Sequence, residues 1–209
     1  MKTILFNDKE NFDRSISRLN KNKSNKEQRF FKIELAHDFI FKKVESILKN
    51  QSHCLELVKT LIYTGEYNPK ALSNMKYACN SKIKDMERLI KKEDILLEKV
   101  EKMSSDENLK KEVLEHVTYI KEIFQGIRDS NIKAIAQQSK NAEGQKNLFE
   151  YIKRTIPFCE FRTTNLVTRK GYIQQKGVDA KFSTDLILLA QSNAFDVAIL
   201  LTGDADLKE

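Results

Sequence analysis

The sequence predicts an α/β fold built on a parallel sheet, and three stretches carry that reading. Val197 to Leu201 is a short continuous apolar run, β-branched at Val197 and Ile199, the pattern of a strand buried on both faces. Before it, between Asp179 and Asn193, Phe182, Leu186, Leu189 and Ala190 recur at spacings of three and four, which is the helical period. At the other end of the chain, Thr3 to Phe6 is a second apolar run, followed by Asn7-Asp8-Lys9-Glu10-Asn11-Phe12. Both runs end in acids: Asp8 after the first, and Asp204 and Asp206 in Thr202-Gly203-Asp204-Ala205-Asp206 after the last. In open α/β sheets, ligands bind outside the carboxyl ends of the strands.

If the two runs are neighbouring strands, Asp8, Asp204 and Asp206 converge. Carboxylates packed together repel and raise each other's pKa, and a divalent cation relieves that repulsion. An oxygen-only cluster suits a hard ion, Mg²⁺ or Mn²⁺. Asp179 opens the helix before the last strand and is the fourth candidate ligand. Asp185 lies six positions on, about 120° around the same helix, so it is expected to act behind the ligands or through water. Each acid also has a purely structural reading. Asp179 suits the positive end of a helix, and Asp204 or Asp206 suits the cap of a following one.

Composition sets the bounds. The chain has 209 residues, 40% of them hydrophobic and 32% charged, enough apolar residue for a core and too much for global disorder. Six Gly and two Pro argue against an all-β fold. No apolar run reaches the roughly 18–20 residues of a membrane span, and Met1-Lys2 leads straight into a strand, so no membrane association and a cytoplasmic location are expected. Cys54, Cys79 and Cys159 have no paired spacing and are read as buried free thiols. The net charge of +7 concentrates in residues 1–71, which carry 14 basic and 9 acidic side chains. Arg18, Lys21, Lys23, Lys26, Arg29 and Lys32 are opposed only by Glu27. That cluster fits a phosphodiester partner or, equally, a solvated loop.

Along the chain, residues 10–20 are expected to be helical, with Phe12, Ile16 and Leu19 inward, and residues 28–49 again, on Ile33, Ala36, Ile40, Val44 and Ile47. Leu55 to Tyr63 reads as a strand that Gly65–Pro69 breaks. Two long helices then follow, one on Leu72, Met75, Cys79, Ile83, Met86, Ile90, Leu97 and Val100, the other on Leu109, Val113, Val117, Ile120, Phe124 and Ile127. Ser104 and Glu107 have capping-box spacing between them. The result is an antiparallel helical hairpin. From Gly144 the α/β pattern is expected to resume, with Leu148, Phe149, Ile152 and Ile156 making a helix stripe that Pro157 ends. Phe158 to Arg162 reads as a strand, and Leu166 to Ile173 as a small hairpin or lid.

The segments Phe6–Phe12, Lys176-Gly177-Val178-Asp179, Thr184–Ala190 and Thr202–Leu207, in this order, resemble NYN domains of the PIN-like nuclease superfamily, nearest to the bacterial NYN group. The resemblance covers the two ends of the chain. It implies a doubly wound, mostly parallel, Rossmann-like three-layer sheet and a metal-dependent endoribonuclease leaving 5′-phosphate and 3′-hydroxyl ends. Asp8, Asp179, Asp204 and Asp206 would hold Mg²⁺ or Mn²⁺, with Asn11 and Asp185 completing the catalytic set. Asn7 and Lys9 stand where an apolar residue and a glycine are common. A compact member would join its second and third strands briefly, whereas roughly seventy residues intervene here, beyond an ordinary loop. Residues 1–71 and 141–209 are therefore expected to form one domain in two parts, interrupted by the hairpin at 72–140.

RNA is the expected substrate, its backbone held by Lys21, Lys23, Lys26, Arg162, Arg169, Lys170, Lys176 and Lys181. The alternative is a catalytically weak or inactive RNA-binding or assembly module working through the helical arm. A phosphohydrolase of small esters is disfavoured, because the first strand has no D-x-D nucleophile motif. His37, His53 and His116 lack metal-ligand spacing and receive no role. The sequence stops soon after Asp206, where family members continue with a helix and another strand, so an uncovered sheet face is expected, and with it a homodimer or larger assembly through the helical hairpin, that face or both.

Overall fold

The computed structural model describes residues 1–21, 33–49, 54–102, 107–169 and 172–203, in two compact units. The first takes Met1–Tyr67, Gly144–Val167 and the residues from Gln175 onward; the second takes Asn68–Glu143 and Thr168–Gln174.

The first unit is organised by a four-stranded sheet of β1 (Lys2–Asp8), β2 (Glu56–Glu66), β3 (Cys159–Asn165) and β6 (Val197–Leu201), in the order β3-β2-β1-β6. Every pairing is parallel. The chain therefore starts in the sheet interior, builds outward through β2 and β3, and returns to the other side of β1 with β6. The crevice between β1 and β6 is the point at which strand order reverses. Side chains alternate along each strand, so two layers form. Ile4, Phe6, Leu61 and Tyr63 pack with Val178 and Phe182 of α5 (Val178–Gln191). Leu5, Ile199 and Leu201 pack with Phe12 of α1 (Lys9–Asn20) and Ala36 of α2 (Ile33–Lys49). On that second face, Ile62 meets Ile152 and Ile156 at the end of α4 (Glu107–Thr155). The unit is a three-layer α/β body. Phe6 and Phe182 sit 5.9 Å apart and Tyr63 and Phe182 4.9 Å apart, both tilted. Such pairs contribute about 0.5–1.5 kcal/mol each beyond their burial.

The second unit pairs α3 (Pro69–Glu101) with α4. Asn68 caps α3 by accepting from the Ala71 N–H at 2.7 Å, and Pro69 pre-sets its first turn. Met75, Cys79, Ile90 and Val100 are buried on one stripe, as their spacing predicts. Lys110 donates to the Glu101 carbonyl at 2.7 Å and Lys121 pairs with Asp94 at 2.5 Å. Early residues of α4 thus meet late residues of α3, and the hairpin is antiparallel. β4 (Val167–Arg169) and β5 (Tyr172–Gln174) form a two-stranded sheet. None of the described helices is long and apolar enough to cross a membrane.

Several expectations need correcting. Gly65 does not break β2, which runs on to Glu66; a Cβ at position 65 would lie 2.3 Å from Leu166 Cδ2. The glycine marks a close approach, not a turn. The first unit takes up the chain again at Gly144, inside the 49-residue α4, so the stripe from Leu148 continues the long helix without a break; one helical glycine costs only about 1 kcal/mol. β3 begins at Cys159 and extends to Asn165. β6 is not buried on both faces, since Leu200 is 38% exposed, and among the described residues it is the outermost strand on its side of the sheet. Ile47, Leu109 and Ile127 also face solvent, and Cys54 is exposed while Cys79 is buried. The helix expected from residue 28 is described from Ile33, and Ser104 of the expected capping box lies outside the described residues.

Candidate active site at the β1–β6 crevice

Asp8 is at once the last residue of β1 and the N-cap of α1. The Asp-x-x-Asn spacing explains the geometry, because a residue three after the cap has its N–H free to reach back. The Asn11 N–H donates to Asp8 Oδ1 at 3.4 Å, and Asn11 Nδ2 donates to Oδ2 at 2.7 Å. Asn11 therefore spends its amide on steering the carboxylate. Asp8 is only 2% exposed. Burial pushes its carboxyl pKa up; the two Asn11 hydrogen bonds work against that rise, and the charges of Asp179 and Glu10 add to it.

Asp179 comes from the opposite layer. It sits in the first turn of α5 and is exposed. That helix starts after Gly177, whose φ of +80° lies in the region glycine adopts without penalty. The Lys-Gly-Val-Asp segment is thus a turn that delivers an acid to the sheet's carboxyl edge, where its charge bears on Asp8. Beyond β6 the chain reaches Gly203. A Cβ there would meet Ser15 Oγ at 3.1 Å and the Asn11 carbonyl oxygen at 3.5 Å. The backbone at position 203 is therefore seated against the first turns of α1, beside the residue that holds Asp8. Asp204 and Asp206 lie outside the described residues. Among the described residues no group of three or more His, Cys, Asp or Glu is disposed to hold a metal ion. Asp8 and Asp179, an oxygen-only and mutually repelling pair with one raised pKa, still fit a hard divalent cation.

Asp185 is engaged elsewhere. Its Oδ2 accepts from the Tyr63 hydroxyl at 3.1 Å and lies 3.8 Å from Arg162 Nε. Arg162, expected to hold RNA, also pairs with Glu160 at 2.8 Å. Lys176 and Lys21 are exposed and Lys181 is half-buried in the first unit; Arg169 is exposed in the second. Lys23, Lys26 and Lys170 lie outside the described residues. Asp196 accepts from the Lys2 N–H at 2.6 Å and anchors β6 to the start of β1.

Two polar features escaped the sequence reading. Tyr63 sits within an apolar run and looks like any core aromatic. Asn7 and His37 are both buried, and their side chains meet at 2.6 Å from Asn7 Nδ2 to His37 Nε2. The only sequence signal was a polar residue ending an apolar strand, and its partner is thirty positions away.

An α/β body with Asp8 and Asp179 at the point where its strand order reverses has its candidate site at the sheet's carboxyl edge, where open α/β folds bind ligands. The NYN domain family model matches residues 74–209, and the chain belongs to that family. The match begins within α3, so β1 and Asp8 precede it. Neither a curated protein nor a solved structure matches the chain.

Proposed function

We propose that the protein is a metal-dependent endoribonuclease. The observation that carries this reading is the placement of Asp8. A buried carboxylate with a raised pKa sits at the β1–β6 crevice, faces the charge of Asp179, and lies next to the backbone that leads into Asp204. Asp8, Asp179, Asp204 and Asp206 would hold Mg²⁺ or Mn²⁺. When bound, the cation supplies an acidified water and charge neutralisation at a phosphate.

The chain's own residues do the rest. Asn11 fixes the Asp8 carboxylate, so that its orientation is set before substrate arrives. Lys176 and Lys181 flank Asp179 in sequence and offer positive charge to the RNA backbone. Hydrolysis adds the oxygen of water to phosphorus and breaks the bond to the 3′ oxygen. A 3′-hydroxyl and a 5′-phosphate result.

Labelled single-stranded RNA incubated with the intact chain in Mn²⁺, and again with EDTA, tests the reading. Cleavage in Mn²⁺ that EDTA stops is the expected outcome. RNA that is retained but never cut would instead mark a non-catalytic binding or assembly module.

A further inference from the structure

We propose that Tyr63 is a positioning residue and that Asp185, in this chain, is part of the same anchor and not a cation ligand. Tyr63 and Arg162 take up the Asp185 carboxylate, lock α5 onto β2 and β3, and so fix Asp179 against Asp8. The functional consequence rests on the metal-site reading above; the anchoring itself does not.

The geometry runs as a chain of alternating charge across three elements. Lys59 Nζ on β2 lies 3.0 Å from Glu160 Oε2 on β3, Glu160 Oε1 lies 2.8 Å from Arg162 Nη2, and Arg162 Nε lies 3.8 Å from Asp185 Oδ2 on α5. Tyr63 closes the chain with its 3.1 Å hydrogen bond to the same oxygen. Tyr63 is fully buried, and its hydroxyl is the one polar atom of a side chain otherwise packed among Phe6 and Phe182. Burial and the Asp185 charge push its pKa up, which keeps it a neutral donor. A cation on the Asp185 carboxylate would compete with the Tyr63 hydrogen bond and meet the like charge of the Arg162 guanidinium, whose Nε lies 3.8 Å away.

Helix geometry separates the two acids of α5. Asp179 and Asp185 are about 9 Å apart along the axis and about 120° apart around it. The charges that bear on Asp8 are those of Asp179 and Glu10. The remaining contacts of α5 with the sheet are apolar: Val178, Phe182, Leu186 and Leu189. Apolar burial is non-directional and leaves the helix free to turn or slide slightly. A hydrogen bond and an ion pair to one oxygen define a single rotation, and that rotation sets where Asp179 points.

Two conservative variants test this. Tyr63→Phe removes only the hydroxyl. Asp185→Asn keeps an oxygen that can accept from Tyr63 but removes the charge. Calorimetric titration with Mn²⁺, RNA cleavage at saturating Mn²⁺, and amide hydrogen exchange along α5 are the readouts. Tyr63→Phe is expected to speed exchange in α5 selectively and to weaken Mn²⁺ binding by about tenfold, the usual effect of removing a group that orients a metal ligand, with kcat at saturating Mn²⁺ preserved. Asp185→Asn is expected to stay within about threefold of the natural affinity, below what removing such an orienting group usually costs. Loss of Mn²⁺ binding in Asp185→Asn to the same extent as in Asp179→Asn would overturn the proposal, and so would unchanged α5 exchange in Tyr63→Phe. If the natural chain binds no Mn²⁺, the metal-site reading fails, and the exchange comparison alone decides the anchor.

Discussion

Asp8 carries its charge at a cost, because burial removes the water that would stabilise it. A folded-state pKa above the unfolded value means that the folded protein binds the proton more tightly. Asp8 therefore contributes most to stability below its unfolded pKa, and that contribution is lost as pH rises through the folded value. In EDTA at pH 7, Asp8→Asn should melt higher than the natural chain. The advantage should shrink toward about pH 3, where the Asp8 carboxyl is largely protonated in the folded and the unfolded chain alike. Asparagine also caps helices well, so the fold is kept. Added Mn²⁺ should raise the melting temperature of the natural chain and leave that of the variant unchanged. Asp8 was legible in the sequence because an acid directly follows an apolar run. Tyr63 and His37 were not, because their partners Asp185 and Asn7 come from other elements, and no local pattern records which side chains meet across a core.

At the scale of elements, the apolar patterns gave most of the helices and strands, and the failures have physical causes. Gly65 was read as part of a break, yet it sits under Leu166 within β2. Tertiary packing overrode a local preference of about 1 kcal/mol there. Gly177 is the contrasting case, with a φ of +80° that other residues adopt only under strain. Gly177→Ala should therefore destabilise the first unit by about 1 kcal/mol, read by thermal melting. It should also lower cleavage more than that loss explains, because the turn aims Asp179. The edge position of β6 could not be read from Val197–Leu201, since a run of five apolar residues looks the same at the centre of a sheet and at its rim. Leu200 shows the difference: it is paired in register with buried Phe6 yet remains exposed.

For the whole molecule, charge and exposed apolar surface are the relevant quantities. Neutralising Lys21, Lys23 and Lys26 together should weaken RNA binding and reduce the slope of affinity against salt by about two to three units, roughly one for each phosphate no longer neutralised. Filter binding across a salt series measures it, and unchanged affinity at low salt would return the cluster to a solvated loop. Leu200, Ile187 and Leu188 are exposed on the first unit, and an apolar edge strand is a surface that a second copy can cover. A homodimer is the expected state in light scattering at micromolar concentration, and Leu200→Lys should shift it toward monomer. A monomer of the natural chain would remove that role from the edge.

The account turns on acids from β1 and from the end of β6 working together at the crevice between those strands. Cleavage of labelled RNA in Mn²⁺ by the natural chain, by Asp8→Asn and by Asp204→Asn, with circular dichroism to confirm that each is folded, tests this most directly. Both variants are predicted to lose cleavage by several orders of magnitude, roughly 10³-fold or more, the scale of removing a metal-held nucleophile. Cutting at the natural rate by either folded variant would contradict it.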